Sequence, residues 1–266
     1  MRYKGGEILI ERVKSKIIQS GDIIEIYEYS KGYLKGYENT RADSGRKIDY
    51  ESTDYEKHRK QVLQRAKRDL RRLINSNHGQ YGSQFTSKFL TLTFGDVVTD
   101  VEVANYEFKK FMQRLNYLVF DTKKANLKYN AVIEFQKRGA IHYHVIIYNM
   151  PWTKQKIIEK TWGNGFVFIN KIDDVDNVGA YVAEYLGDSE KRQGKEIDDH
   201  RLKGKKSYFS SRGLYKPVEF TEKKVVEAVA AALPPENLTY SADFENEHLG
   251  NITYKQYNLN MLKNKP

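Results

Sequence analysis

The sequence contains no cysteine, which excludes a disulfide scaffold, a thiol nucleophile and any cysteine-ligated zinc or iron–sulfur centre. No apolar run approaches the ~20 residues needed to cross a bilayer. The opening Met1-Arg2-Tyr3-Lys4-Gly5-Gly6 leads into no signal-peptide core, so a soluble, cytoplasmic protein with no membrane partner is expected. Internal repeats are absent. No Gly-x-x-x-x-Gly-Lys-[Ser/Thr] run occurs, and Gly204-Lys205-Lys206-Ser207 lacks the first glycine and the preceding strand, so no nucleotide motor is recognisable. Histidine is scarce, with six in the chain, and His-Glu-x-x-His is missing.

What the chain does have is positive charge and tyrosine. In 266 residues, 45 Lys+Arg stand against 35 Asp+Glu for a net charge of +10, and 20 residues are tyrosine. Cations neutralise phosphate and flat rings stack on unpaired bases, so the balance suits nucleic acid. A basic protein with no such partner is the alternative. The length allows one substantial core with appendages or two small domains.

Residues 7–29 read as short strands, with Ile8, Ile10, Ile24 and Ile26 alternating around a Ser20-Gly21-Asp22 turn. Tyr27, Tyr29, Tyr33 and Tyr37 read as strand aromatics, with a stacking surface as the alternative. Residues 41–47 have no apolar period and read as a linker. A helix follows over about residues 56–76, with Val62, Ala66, Leu70 and Leu73/Ile74 on one stripe and Leu63 beside it. It carries Lys57, Arg59, Lys60, Arg65, Lys67, Arg68, Arg71 and Arg72 against Glu56 and Asp69. Phosphate contact is as good a reading of that face as simple solvation. Asn75-Ser76-Asn77-His78-Gly79 ends the helix.

Residues 88–217 are the most patterned. A strand at Phe89-Leu90-Thr91-Leu92-Thr93-Phe94 ends at Gly95-Asp96. An amphipathic helix follows, with Ala104, Phe108, Phe111/Met112, Leu115 and Leu118/Val119 inward. Residues 129–136 and 140–148 make a hairpin around Lys137-Arg138-Gly139. A helix (154–162), a strand (165–170) and a helix (176–187) come next. The order β-α-β-β-α-β-α fits an α+β fold, a central antiparallel sheet covered by helices on one face. Residues 188–207 read as a mobile loop. Thr221 is placed to cap a last helix through Leu233, which Pro234-Pro235 terminates. The resulting organisation is a β-rich N-terminal extension (1–50), a basic helix (51–80), a catalytic domain (81–217) and a C-terminal helix and tail (218–266).

Three features carry chemistry. His142 and His144 flank Tyr143 on a strand, so both imidazoles point to one face. Glu134 interrupts the apolar Val132-Ile133-Glu134-Phe135, where a carboxylate is costly unless paired, metal-bound or facing solvent. With a three-residue loop at 137–139, position 134 faces 142. Two imidazoles and a carboxylate suit Mg²⁺ or Mn²⁺, and zinc also accepts this set. Tyr181 and Tyr185 lie at i and i+4 on a helix with Glu184 beside them. A phenol so placed can attack phosphorus and conserve the phosphodiester energy as phosphotyrosine; paired helical tyrosines can also be simple packing residues.

In this order, Phe-Leu-Thr-Leu-Thr-Phe, Glu134…His142-Tyr143-His144 and Tyr181-Val-Ala-Glu-Tyr185 resemble the three motifs of HUH endonucleases, with Tyr143 as the bulky middle residue. Within that superfamily the chain is similar to rolling-circle replication initiators of small phages and plasmids, especially the two-tyrosine group. Residues 138–144 and Ser211-Arg212-Gly213-Leu214-Tyr215-Lys216-Pro217 add to the likeness, which spans about 88–217. The resemblance implies a split β-α-β (ferredoxin/RRM-like) sheet and a nickase that leaves a 5′-phosphotyrosine and a free 3′-OH. It implies Glu134, His142 and His144 as ligands of Mg or Mn and Tyr181 and Tyr185 as nucleophiles. Glu184 stands where the family usually has lysine, and Asp188 where another lysine is common. Glu184 is then a further metal ligand or a proton acceptor, or Lys205, Lys206 or Arg212 supplies the missing charge. The expected partners are single-stranded or hairpin origin DNA, contacted by the basic helix with Arg138 and Arg212, and a bacterial host's helicase and polymerase. A transposase or relaxase with the same site, a protein that only binds an origin or RNA, and a zinc hydrolase remain as alternatives.

Overall fold

The computed structural model describes residues 11–35, 53–136, 139–170, 172, 176–186, 206 and 208–260, with 53–58 and 170 described by backbone alone. In chain order the elements begin with β1 (Glu11–Ser20), β2 (Ile23–Lys35), α1 (Thr53–Asn75), β3 (Lys88–Phe94) and α2 (Val101–Phe120). Next come β4 (Tyr129–Phe135), β5 (Ile141–Ile147), α3 (Gln155–Trp162), β6 (Gly165–Asn170) and α4 (Val178–Ala183). The last are β7 (Tyr208–Ser210), β8 (Val218–Phe220), α5 (Lys223–Ala232), β9 (Leu238–Asn246) and β10 (Gly250–Asn258). The chain divides into two units, one of residues 58–216 and one formed by the segments on either side.

The 58–216 unit is an α+β fold on an antiparallel sheet of order β6-β3-β5-β4-β7. Because β5 lies between β3 and β4, the β3-α2-β4 connection is a split β-α-β; β5-α3-β6 is a second, divided by β3. Strand alternation sorts β5 into two faces. Ile141, Tyr143, Val145 and Ile147 join Phe108, Phe111, Leu115, Ile158 and Trp162 in one core, where Phe108 and Tyr143 stack at 4.5 Å. On the opposite face, Ile146, Phe89 and Val132 pack with Leu70 and Ile74 of α1 and with Val178 and Val182 of α4. Helices therefore cover both faces, a correction to the one-sided arrangement expected from element order. All seven residues of β5 are buried, and a strand apolar on both sides has to be covered twice.

Other expectations shift by a residue or a turn. The inward stripe of α1 is Leu63, Ala66, Leu70 and Ile74, and Val62 is 47% exposed, since Leu63 takes the stripe position one step along. In α2, Val119 packs inward while Leu118 is exposed. The last helix of the patterned region is only Val178–Ala183, followed by a turn through Leu186. The short strand β7 extends the sheet beyond β4, which the sequence reading does not anticipate.

The second unit is an antiparallel sheet of order β8-β1-β2-β10-β9. Ile17, Ile24 and Ile26 form its core with Val226 of α5. Tyr27 packs on Tyr254 at 4.9 Å, and Tyr29 meets Tyr33 edge-on at 5.6 Å, so these rings pack as strand aromatics. Thr221 does not cap α5: the capping position is Glu222, without a side-chain bond, and Thr221 Oγ1 instead accepts from Lys35 Nζ at 2.5 Å. Tyr37, the linker at 41–47, and residues 188–205 and 207 of the expected loop lie outside the described residues. No described helix is long and apolar enough to cross a membrane.

Candidate active site

The site begins with the β4–β5 hairpin. Gly139 turns it with φ +84°, Gly139 N–H donates to Gln136 O at 2.7 Å, and Gln136 N–H donates to Ala140 O at 2.8 Å. That closure fixes the register, so Glu134 sits opposite His142 and on the same face as His144. The diagonal neighbours meet: His144 Nε2 lies 2.5 Å from Glu134 Oε2. Strand β3 completes the floor, with Thr91 beside His144 and Thr93 beside His142. Thr91 Oγ1 is 3.2 Å from His144 Nδ1, so both nitrogens of that ring have partners and its orientation is fixed. His142 and His144 are 7% and 5% exposed.

The tyrosines are delivered by α4, whose start is tied to the end of α1. Asn177 Oδ1 accepts from Ala180 N–H and from Asn75 Nδ2, each at 2.9 Å. Asn75 Oδ1 accepts from Gly179 N–H at 2.8 Å. Gly179 permits this approach, because a Cβ there would lie 2.2 Å from Arg71 O. With Val178, Val182 and Leu186 buried, Tyr181 and Tyr185 fall half-buried on the adjacent side. The Tyr185 ring stacks on His144 at 4.0 Å, and Tyr185 Oη donates to Tyr181 Oη at 3.1 Å. Phe89 supports both phenol rings, each at 5.6 Å, and His144 at 5.9 Å. Glu184 follows α4 as its C-terminal cap and is exposed.

Tyrosines elsewhere in this unit are poorly suited to attack. Tyr143 points into the α2 face and donates to Asn105 Oδ1 at 2.7 Å; burial pushes its phenol well up. Tyr148 donates to Asn130 Oδ1 at 2.5 Å, and burial, then the neighbouring Tyr81, holds its phenol well above the usual range. Tyr81 is pushed up to about 12 by burial and by Tyr215.

The donor set fits a divalent ion in kind: a carboxylate and two imidazoles share one face and two of them already converge. No group of three or more metal-ligating side chains is drawn together among the described residues, since Glu134 is turned onto His144. The cations on α1 fall into two sets. Lys60, Arg65 and Arg68 are exposed, while Lys67, Arg71 and Arg72 are half-buried. Arg212 is exposed beside a cleft against α2 that Phe108 and Phe209 also line, and both belong to the core on the face opposite the histidines. Lys57's side chain and Arg138 lie outside the described residues. Sequence reasoning misses Thr91, Phe89, Asn75 and Gly179. Only Thr91 had a signal, its alternation with Leu90 and Leu92 on a strand.

Residues 87–190 match the family model described as replication-associated protein ORF2. The match covers about two fifths of the chain and takes in every carboxylate, imidazole and phenol of the site, while α1 and the other unit fall outside it. It supports a replication-associated function of the rolling-circle initiator type. Neither the curated proteins nor the solved structures yield a match.

Proposed function

We propose that this chain initiates rolling-circle replication as an HUH-type nickase of the two-tyrosine group, cutting and rejoining one DNA strand through a 5′-phosphotyrosine. The observation that carries the reading is the convergence of the three motifs: the Tyr185 ring lies 4.0 Å from His144, His144 is bonded to Glu134, and Tyr181 is in hydrogen-bond contact with Tyr185.

Tyr181 is the attacking group. It accepts the Tyr185 hydroxyl, and a phenoxide formed at Tyr181 keeps that donor, which favours the charged form. Glu184 lies three residues on, within reach on a helix surface, and takes the phenol proton. Tyr181 Oη then bonds to phosphorus as the P–O3′ bond breaks; O3′ takes a proton from water and leaves as a free hydroxyl. One phosphodiester replaces another, so the step is reversible, and Tyr185 can act in the second transfer. A divalent ion, Mg²⁺ or Mn²⁺, bound by Glu134, His142 and His144 would neutralise and orient the scissile phosphate. Glu134 and His144 would give up the proton they share in order to hold it. The substrate is a single-stranded or hairpin origin in a bacterial cytoplasm, with strand separation and synthesis left to the host's helicase and polymerase.

The test is a labelled single-stranded hairpin incubated with protein and Mn²⁺ or Mg²⁺ and run on a denaturing gel. A covalent adduct is expected, lost with chelator and in the His142→Ala, His144→Ala double variant. A salt-sensitive shift without an adduct would overturn the reading in favour of binding alone.

A further inference from the structure

Cross-strand rows run over the sheet face that carries the histidines. The row through Asn130, Ile146 and Phe89 lies in the core that α1 and α4 cover, where Ile146 and Phe89 are packed. The next two rows run the other way, out from the candidate ligands. One passes from Val132 through His144 and Thr91 to Phe168, the other from Glu134 through His142 and Thr93 to Phe166. Thr91 and Thr93 are half-buried. Phe166 and Phe168 are 61% and 63% exposed, although Val167 between them is fully buried on the other face.

β6 is the edge of its sheet. Soluble proteins blunt an edge with charge, proline or a bulge; this one presents two bare phenyl rings on successive outward positions, on the side of the reactive groups. Side chains at i and i+2 of a strand stand about 6.6 Å apart, a step that consecutive unstacked nucleotides can follow. Aromatic rings stack on any base, whereas the phosphates of the same strand are drawn by a chain of net charge +10.

We infer that Phe166 and Phe168 are a stacking platform for two neighbouring bases of the single strand whose phosphate is cut at Glu134, His142 and His144. The inference rests on the nicking reading for the identity of the strand. It adds a base-binding subsite on β6, reached from the ligands across Thr91 and Thr93, and it commits the exposed edge to nucleic acid rather than to protein.

The experiment uses the full chain with Tyr181→Phe and Tyr185→Phe, so that no strand is cut. Short single strands carry 2-aminopurine at one position at a time. Quenching on binding is expected at two adjacent positions. Phe166→Ala and Phe168→Ala should each relieve it at one of them and weaken binding by about 5- to 150-fold, the range for removing one base–aromatic stack. Phe166→Trp should restore both signals, while Phe166→Leu should not. Both side chains are exposed, so thermal melting should be unchanged. Equal affinity and quenching in the double alanine variant would overturn the platform. So would rescue by leucine, or a dimer of the parent protein that dissociates in the variant, either of which would make the edge a protein-docking surface. The two readings fail separately. With both tyrosines restored, a bound and quenched strand that forms no adduct sinks nicking alone. An adduct formed by the alanine variant at parental affinity sinks the platform alone.

Discussion

The hydroxyl–hydroxyl contact between Tyr185 and Tyr181 makes the two phenols unequal. Removing the Tyr181 oxygen deletes the nucleophile, so Tyr181→Phe should abolish the first adduct. Tyr185→Phe removes one donor to a developing phenoxide, worth about 1.5–3 kcal/mol for a charged acceptor, so adduct formation should slow by about 10- to 150-fold. Single-turnover kinetics on the labelled hairpin would read both, and a Tyr185→Phe enzyme with no adduct at all would reverse the assignment. Glu184→Gln should slow nicking by about 10²-fold, the lower range for removal of a general base, and leave metal affinity unchanged, because Glu184 is exposed and belongs to no three-donor group among the described residues. The buried phenols make a separate prediction for stability. Tyr81, Tyr143 and Tyr148 all hold their protons more tightly in the fold than the exposed value of 10.0, chiefly through burial. The unfolded chain therefore releases protons first as pH rises: stability is complete below pH 10 and falls above it. Tyr148→Phe should cost about 1 kcal/mol at neutral pH by orphaning the Asn130 oxygen, yet make the alkaline fall shallower; melting temperatures taken from about pH 8 to about pH 11 would show both.

At the scale of elements, the tyrosines are only as well placed as α4, and α4 is only as well placed as its contact with α1. Gly179→Ala would drive a methyl into Arg71 O and Asn75 Oδ1. Overpacking of this kind costs about 1–3 kcal/mol, and the helix that must move carries both phenols. A lower melting temperature should accompany a loss of adduct at saturating DNA, while Ala180→Gly, one residue on, should lower the melting temperature by weakening the helix without that loss. The hairpin and its ligands were legible in the sequence because their cause is local: alternation sets the face and a three-residue loop sets the register. The spacing of Tyr181 and Tyr185 was legible for the same reason. Thr91 and Phe89 could not be assigned to the site, because β3 reaches it only by pairing with β5, a non-local choice that no spacing in 89–94 encodes. Gly179 was invisible because its need arises at Asn75, 104 residues earlier. The charge on α1 hid the rest: Leu70 and Ile74 stand among arginines, and their complete burial shows that a helix read as a DNA-facing appendage is also the lid over half of the catalytic sheet.

That double use of α1 decides how the charge of the whole molecule can be tested. A net charge of +10 predicts salt-dependent DNA binding from any cations the duplex reaches, so affinity at one salt concentration says little about where the DNA lies. Substituting every cation of α1 would confound the result, because Arg71 and Arg72 are half-buried and adjoin the Leu70–Ile74 packing on which α4 depends. Lys60, Arg65 and Arg68 are exposed and can be changed to glutamine without disturbing that core. If α1 docks the duplex flanking the nick, each phosphate no longer neutralised lowers the slope of log K against log salt by about 0.9, so the triple variant should flatten it by up to about 2.7. Cutting of a short single strand should be unchanged, because its phosphates and bases meet the tyrosines and the ligand face instead. Titrations of duplex-flanked and purely single-stranded substrates at stepped salt would separate the terms. An unchanged slope with the duplex would remove α1 from the DNA interface and leave it the structural task its buried leucine and isoleucine already perform. A flattened slope together with a loss of single-strand cutting would mean that the same cations also guide the strand into the site.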